Sequence, residues 1–312
     1  MVSPPSIPIE EIITELADSG KPLVNARLSQ LSNLSPAGLG QLAPAWPGIE
    51  TERRRRIVSR MVELAEDNVV LDFDGIFKLC LRDKDAAVRG LAIEGLWENE
   101  EPSLINPLID RLEHDGAESI QAAAARGLGK FALLAECGQL RSAHATRVRQ
   151  VLLATVNDTQ RPDEVRRRAL EAVAPYSQPR VKQAILDFYR SQNPKFQASA
   201  LYAMGRNCDA SWLPVLLKEL ANSDAEIRYE AATACGELGE EEAVPHLARL
   251  TDDPDIDVRL AAIQALGKVG GDQARASLEK QRDDTSRAVQ QAAEEALGEM
   301  EAMGNPLSFH IT

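Results

Sequence analysis

The sequence is poor in cysteine, in aromatic residues and in long apolar runs. Its 4 cysteines, Cys80, Cys137, Cys208 and Cys235, are scattered, with no CxxC pair and no histidine at ligand spacing. This pattern argues against a disulfide framework, and we expect buried, reduced thiols that pack as small hydrophobic side chains. No apolar stretch approaches the roughly 18 residues of a membrane span, so we expect none.

Basic charge is also in deficit. The chain has 35 Lys and Arg residues against 48 Asp and Glu residues, a formal net charge of −13. A field of this sign repels phosphate, so we expect neither nucleic acid nor a membrane surface as a partner. The first residues, MVSPPSIPIEE, lack the basic start and apolar core of a signal peptide, and we therefore expect a cytoplasmic protein.

A segment that recurs every 31 residues organises most of the chain. In DAEIRYEAATACG, from Asp224 to Gly236, Ile227 and an arginine are followed by small residues and a glycine, and the same signature returns at Val258. We call the first apolar residue of each signature its anchor, and the equal spacing of the anchors identifies an internal-repeat protein. The aromatic content of 4%, with abundant Ala and Leu, suits closely packed helices. The anchor residues are Val88, Ile120, Val165, Phe196, Ile227, Val258 and Val289.

Each repeat has the pattern of two helices joined by a short turn. In the best copy we predict helix A at Trp212–Ala221, helix B at Ala225–Leu238, and an N-terminal cap on helix B from Asp224. Small residues on helix B allow neighbouring helices to approach closely. Nearer the N-terminus, Ser35 followed by proline predicts a helix start, and Thr51–Asp67 is the strongest helical pattern there.

The repeat pattern D-x-x-V-R-x-x-A-x-x-A-L-G resembles the HEAT-like repeats named after the phycobilisome bilin lyases. It stands in this chain as DPDIDVRLAAIQALG and SDAEIRYEAATACG, and the resemblance covers about residues 72–300. The resemblance implies an all-α fold, a right-handed α-solenoid (an armadillo/HEAT-like superhelix) of about eight helical pairs, with helices B lining the concave surface. Known uses of such arrays are protein scaffolding, bilin attachment by a lyase pair, deoxyhypusine hydroxylation and, in a related group, DNA alkylation repair.

The repeats also suggest how the chain is organised. We expect a leader with short helices at 1–35, a degenerate capping repeat at 36–70, HEAT-like repeats at 71–303 and a tail at 304–312. The step from Ile120 to Val165 is 45 residues, so an insertion at about 131–146 adds a short helix or a loop. Insertions of this kind are often functional.

The enzymatic uses of the fold can be tested on the sequence. Deoxyhypusine hydroxylases of this fold hold two irons with His-Glu pairs, because iron is bound well by imidazole and carboxylate together. This chain has no His-Glu pair, so we reject a di-iron site. A DNA glycosylase requires a cationic groove, which an acidic chain does not favour. The four histidine dipeptides are His114-Asp115, His144-Ala145, His246-Leu247 and His310-Ile311.

A binding surface follows from helical geometry. At 100° per residue, positions two and six after the anchor lie roughly opposite the buried arc of helix B, and would line the concave wall if helices B face inward. Aromatic residues on such a polar wall are common anchors of interfaces. The alternative is that the tyrosines only pack against adjacent ridges. The predicted partner-binding residues are Tyr202, Tyr229, Leu260, Arg126, Arg167, Glu171, Thr233 and Gln264.

Two further features attract attention. The run Arg53–Arg56 winds around its helix beside Glu50 and Glu52, and we expect a solvated face with ion pairs there. An anionic peptide could engage Arg126 and Arg167 together. Trp97 replaces the glycine of its repeat beside the acidic turn ENEEP, which we interpret as an ordinary exposed loop.

Together these observations favour a non-enzymatic scaffold that holds a protein or peptide partner in the groove of the array. We expect no catalytic residue, no cofactor and no metal. The alternative is a bilin-lyase-like or chaperone-like subunit that acts on a cofactor-bearing protein, because lyase repeats carry no catalytic motif by which they could be recognised.

Overall fold

The computed structural model describes residues 8–304, with side chains to residue 302, and every regular element in this range is helical. The predicted tail from residue 305 onward, with His310, and the first seven residues of the predicted leader lie outside the described residues. The all-α fold class is confirmed. The α-helices are α1 Ile9–Ala17, α2 Asn25–Leu28, α3 Pro36–Ala45, α4 Thr51–Asp67, α5 Asp74–Cys80, α6 Ala86–Gly95, α7 Ile105–His114, α8 Glu118–Glu136, α9 Ser142–Asn157, α10 Asp163–Val173, α11 Pro179–Tyr189, α12 Pro194–Asn207, α13 Leu213–Glu219, α14 Ala225–Leu238, α15 Val244–Leu250, α16 Ile256–Val269, α17 Asp272–Gln281 and α18 Arg287–Gly304.

The chain divides into two compact units. Unit 1 comprises Met1–Phe131 and Leu140–Val148, and unit 2 comprises Ala132–Gln139 and Arg149–Thr312. From α3 to α18 the described residues form sixteen α-helices, the number that about eight helical pairs require. In unit 2, α12, α14, α16 and α18 pack side by side in one layer, and each packs against the helix that precedes it.

Local capping explains where the helices begin and end. The Asp224 carboxylate accepts a hydrogen bond from the Glu226 N–H at 2.9 Å, and α14 then ends at Gly239, whose φ of 71° is easy only for glycine. The Ser35 hydroxyl accepts from the Gly38 N–H at 3.2 Å at the start of α3. The bounds of α4 and α14 are those predicted from the sequence.

The glycine of the repeat lies where one helix B meets the next. A Cβ on Gly205 would lie 2.8 Å from the Cα of Ala234, and a Cβ on Gly236 would lie 2.8 Å from the Cα of Ala265. Real Cβ atoms do not approach a backbone so closely, so a larger side chain would force the two helices apart. We call the row Gly205, Gly236 and Gly267, which closes the α12, α14, α16 and α18 layer, the glycine seam.

The arginine or glutamine that follows each anchor donates a hydrogen bond to the main chain that precedes its own helix. At six of the seven anchors its side chain donates to the main-chain carbonyl six residues earlier, as Arg228 does to Asn222 O at 2.9 Å, whereas Arg166 donates to Val156 O, ten residues earlier, at 3.0 Å. Arg228 also reaches the turn of the next repeat, where its Nε and Nη2 donate to the Asp253 carboxylate at 2.8 Å each. These motif residues are therefore used for packing. The residues whose side chains donate to the carbonyl six positions earlier are Arg89, Gln121, Gln197, Arg228, Arg259 and Gln290.

The expectation of a solvated arginine face on α4 is wrong for its first two arginines. Arg53 is buried, and its guanidinium donates to the carbonyls of Glu15 and Leu16 at the end of α1, at 3.1 and 2.8 Å. Arg54 is also buried and pairs with Asp83 at 2.9 Å. The last carbonyls of a helix have no partner within it, and here a guanidinium from another helix satisfies them.

The expectation of buried thiols is correct for two cysteines and wrong for two. Cys80 and Cys235 are buried, and burial raises the pKa of the Cys235 thiol to about 12. Cys137 and Cys208 are exposed. Cys208 ends α12 with a φ of 51°, in the left-handed conformation that Gly239 adopts after α14, so it lies at a helix cap and not in the core.

The predicted insertion lies in the last turns of α8, in the connection after it and in the first turns of α9. These helices have 19 and 16 residues, against 10 for α6 and α7. The extra residues therefore lengthen two existing helices.

Candidate functional site

Five of the predicted residues lie on three neighbouring helices of one layer. We call them the tyrosine face: Tyr202 on α12, Tyr229 and Thr233 on α14, and Leu260 and Gln264 on α16. Tyr202 and Tyr229 are each 39% exposed, which is unusual for large side chains in a closely packed layer. The helices that carry the two tyrosines pack closely against each other along the glycine seam, so the tyrosine side chains project from a closely packed layer.

Carboxylates surround Tyr202. Burial raises the pKa of its hydroxyl, Arg206 opposes this shift, and Glu171, Glu230 and Glu237 add to it. The phenol therefore stays neutral and can donate a hydrogen bond to a ligand at any physiological pH. Glu171, from α10, is one of the predicted site residues.

The predicted charges on α10 are engaged within the chain. Arg167 donates from Nε to the Ser199 hydroxyl at 2.8 Å and from Nη1 to Glu164 at 2.9 Å. The same hydroxyl donates to Glu171 at 2.7 Å, and Arg168 donates to the other oxygen of that carboxylate at 2.8 Å. The side chains of Arg167 and Glu171 are 12% exposed. They tie α10 to α12, and a ligand could reach only their edges.

Glu230 was not predicted and is the most perturbed acid of this region. Its pKa is raised to about 7, first by burial and then by the charges of Glu171 and Glu226, against the lowering effect of Arg167 and Arg168. Within the described part of the chain its carboxyl makes no hydrogen bond or ion pair. It follows Tyr229 and is the third residue after its anchor, the position that Arg168 and Ser199 occupy in the two preceding repeats. An alignment of the repeats would have shown that polar residues recur at this third position after the anchor.

Arg126, the remaining predicted residue, lies in unit 1 beside a groove of about 810 Å³ between α6 and α8. Ile93, Leu108 and Ile120 line the groove, and Arg126 itself is exposed. At its rim, burial lowers the pKa of the Lys130 ammonium to about 8, against Asp74 and Glu100. That one anionic peptide engages both Arg126 and Arg167 stays a prediction.

Two general features bear on chemistry. Across residues 8–304, no group of three or more His, Cys, Asp and Glu side chains is arranged to hold a metal ion. In the same part of the chain, no helix combines the length and the apolar character needed to cross a bilayer.

Comparison with known proteins identifies the fold. The family model for HEAT repeats matches residues 73–173 and 213–298, more than half of the chain. The complex of CpcE and CpcF of phycocyanin lyase from Nostoc sp. PCC7120 is similar, with 16% identity, a TM-score of 0.52, and coverage of 74% of this chain and 94% of that one. Importin beta is similar over 93% of this chain and 46% of its own, with 14% identity and a TM-score of 0.50. None of the curated proteins matches the sequence. At these identities the two structures show a shared fold.

Proposed function

The chain belongs to the HEAT-repeat family, an all-α solenoid class, and we propose from this premise that it is a non-enzymatic scaffold. Its partner is a protein or peptide that docks on the tyrosine face. The observation that carries this proposal is the pair of half-exposed tyrosines on two adjacent helices whose motif residues are all engaged in packing.

Physical chemistry supports a docking role for these side chains. A tyrosine ring offers a large contact area while only two torsions have to be fixed, so the entropic cost of ordering it is small. Its hydroxyl adds a directional hydrogen bond. Because the glycine seam fixes the helices below, little further order has to be imposed when a partner binds.

The partner also meets a polar border. Gln264 is exposed beside the tyrosines, and Thr233 and Leu260 are partly exposed, so the face has an aromatic centre with polar and apolar neighbours. Interfaces commonly combine an aromatic core with a polar rim. Tyr202 and Tyr229 are then expected to carry most of the binding free energy, and the residues around them to exclude water.

The test compares the wild-type chain with a Tyr202→Ala, Tyr229→Ala double variant. A partner isolated from the native host with the wild-type chain is titrated against both proteins by calorimetry. We expect the double variant to bind it at least tenfold more weakly, with an unchanged melting temperature. The matched control is Leu133→Ala, which removes another exposed apolar side chain outside the tyrosine face and should bind like the wild type.

Equal affinity of the double variant and the wild type would contradict the proposal. Visible absorbance from a bound tetrapyrrole in the isolated complex would favour instead the lyase-like subunit that the sequence left open as an alternative. A colourless, stoichiometric protein complex is the result expected for a scaffold.

A further inference from the structure

The most exposed large apolar side chains of the described residues cluster in unit 1. Val69 is 92% exposed, Val70 is 78% exposed and Trp97 is 64% exposed. Val69 and Trp97 line the same groove, of about 530 Å³, and Val70 follows directly in the chain. Exposed apolar groups are common singly, whereas a cluster of the largest ones marks a surface that another molecule covers.

The groove has an apolar floor formed by α4, α5 and α6. Phe73 and Phe77 pack edge to face with ring centroids 6.2 Å apart, and a Cβ on Gly95 would lie 2.5 Å from the Phe77 ring. The floor is therefore closely packed on the side that faces the rest of unit 1 and open on its other side. We call this surface the Trp97 groove. The residues that define it are Val69, Phe73, Phe77 and Trp97, with Glu66 and Glu98.

The charged residues that line the Trp97 groove all have one sign. Glu66, Asp72, Asp74 and Glu98 are carboxylates, and no lysine or arginine is among the lining residues. Asp72 accepts from the Asp74 N–H at 2.8 Å, and Asp74 accepts from the Asn99 amide. Glu66 and Glu98 are exposed to solvent. A covering molecule must therefore bring apolar groups to the floor and positive charge to the rim.

The position of Trp97 in its repeat explains why the ring is available. It lies nine residues after its anchor Val88, the position that Gly236 holds after Ile227 in the glycine seam. An indole cannot fit where a Cβ already meets the neighbouring backbone, and α6 ends at Gly95, before the seam position is reached. The carbonyls of Leu96 and Trp97 are instead held by the Lys130 ammonium at 2.6 and 3.0 Å, which fixes the turn that presents the ring.

We propose that the Trp97 groove docks a basic amphipathic segment of a partner protein, with apolar side chains against Trp97 and Val69 and lysine or arginine side chains against Glu66 and Glu98. This is a second docking surface and does not depend on the tyrosine face. Nucleic acid is disfavoured, because four carboxylates repel phosphate. The apolar floor supplies most of the affinity and the carboxylates select the sign of the partner.

Tryptophan fluorescence gives a direct readout of this groove. Of the three tryptophans, Trp46 is 3% and Trp212 is 5% exposed, so quenching by acrylamide reports mainly on Trp97. The probe is a 14-residue synthetic peptide of leucines and lysines with helical periodicity. One comparison peptide has glutamate in place of every lysine, and another has serine in place of every leucine.

We expect the leucine and lysine peptide to protect Trp97 from acrylamide and to shift its emission to shorter wavelength, while both comparison peptides leave it unprotected. Equal protection by the glutamate peptide would overturn the charge assignment. Equal protection by the serine peptide would overturn the role of the apolar floor. An absence of any protection by the leucine and lysine peptide would overturn the proposal as a whole.

Variants locate the binding independently of fluorescence from Trp97. With a fluorescein-labelled leucine and lysine peptide and anisotropy as readout, Trp97→Ala should weaken binding at least tenfold. Glu66→Gln combined with Glu98→Gln should weaken it several-fold and reduce its dependence on salt, because exposed charges are screened over about 10 Å. Leu133→Ala is the matched control and should leave it unchanged. Wild-type affinity in the Trp97→Ala variant would show that the peptide binds elsewhere, which also overturns the proposal.

Discussion

The same position of the repeat has opposite roles in the two units. In α12, α14 and α16 of unit 2 it is glycine, and each helix lies directly on the next one. In α6 of unit 1 it is Trp97, the helix stops at Gly95 after 10 residues, and the ring is exposed. Helices α12, α14 and α16 have 14 residues each. Where this position is glycine in α12, α14 and α16 the helices close directly on one another, whereas in the α6 repeat the exposed ring of Trp97 stands in its place.

The two surfaces that result differ in kind. On the closed layer of unit 2 the residues proposed for docking are exposed side chains, among them Tyr202 and Tyr229. In unit 1 the departure from the motif leaves a groove of about 530 Å³ with an apolar floor. A partner of the first surface therefore meets an aromatic face, and a partner of the second must insert a side chain.

Placing tryptophan at the position of Gly236, or glycine at the position of Trp97, exchanges the two residues. The larger loss of stability is expected for the change at Gly236, in unit 2. For Gly236→Trp we expect a loss of more than about 3 kcal/mol in the free energy of unfolding, because overpacking a tight contact costs this much when the neighbour is backbone. Even the Cβ of a new side chain at this position would lie 2.8 Å from the Cα of Ala265. Urea denaturation followed by circular dichroism measures the loss.

The matched control is Gly298→Trp, at the same position in α18. A Cβ there has nothing within 4 Å, so we expect a change of less than about 1 kcal/mol. If both variants lost the same stability, the effect would come from tryptophan in a helix and not from the glycine seam.

Much of the fold could be predicted from the sequence because its signals are local. The capping of α14 by Asp224 and the apolar spacing within α4 depend on residues close together in the chain, and the bounds predicted for both helices are correct. The burial of Arg53 could not be found in this way, since its partners are carbonyls at the end of α1.

The candidate site was less predictable for the same reason. The pKa of Glu230 depends on Glu171, which is 59 positions earlier in the chain and comes close only because α10, α12 and α14 pack in order. The departure at Trp97 was visible in the sequence, but its meaning required the geometry of the glycine seam. A single sequence shows which residue breaks a pattern, and the packing shows whether the break leaves an opening.

The bridge from Arg228 to the turn of the next repeat gives the next largest effect. Arg228→Gln keeps the bond to the turn carbonyl that Gln121 and Gln197 make, but it removes both bonds to Asp253. We expect a loss of about 2–3 kcal/mol, somewhat below the usual cost of breaking a buried pair because the Asp255 N–H still donates to that carboxylate.

The dependence on pH tests the cause. Burial would raise the pKa of Asp253, but the bonds from Arg228 hold it below its ordinary value, so the pair stabilises the fold above that value and the stabilisation is lost as pH falls. The loss should therefore be smaller at pH 3 than at pH 7. Arg259→Gln is the control, because Arg259 Nε has no hydrogen-bond partner among the described residues and Arg259 acts on the Asp253 carboxylate only through its charge, less than Arg228 does, so it should cost less than about 1 kcal/mol. An equal loss for both variants would exclude a role for the bridge to Asp253.

Glu230→Gln should stabilise unit 2 in a manner that depends on pH. The folded state holds the proton of Glu230 up to about pH 7, against an ordinary pKa of 4.5, so ionisation destabilises the fold progressively between these values. At about 1.4 kcal/mol per pKa unit, the rise from 4.5 to about 7 means that the variant should gain roughly 3 kcal/mol at pH 8 and almost nothing at pH 4. Thermal unfolding at the two pH values measures this, with Glu242→Gln as the control, because Glu242 is an exposed side chain of unit 2 and is not among the charges that shift the pKa of Glu230. A gain of equal size at both pH values would contradict the raised pKa.

The reciprocal exchange, Trp97→Gly, should have the smallest effect on stability. Most of the ring is exposed and contributes little to the core, so we expect a loss of less than about 1 kcal/mol, chiefly from the greater freedom of glycine in the unfolded chain. Glycine at this position should not create a closed seam in unit 1, because α6 already ends at Gly95. Urea denaturation monitored by circular dichroism checks the first statement, and hydrogen exchange of the amides of residues 96–98 checks the second. A large loss of stability would mean that Trp97 supports the fold, in which case its exposure would not mark a surface kept for a partner.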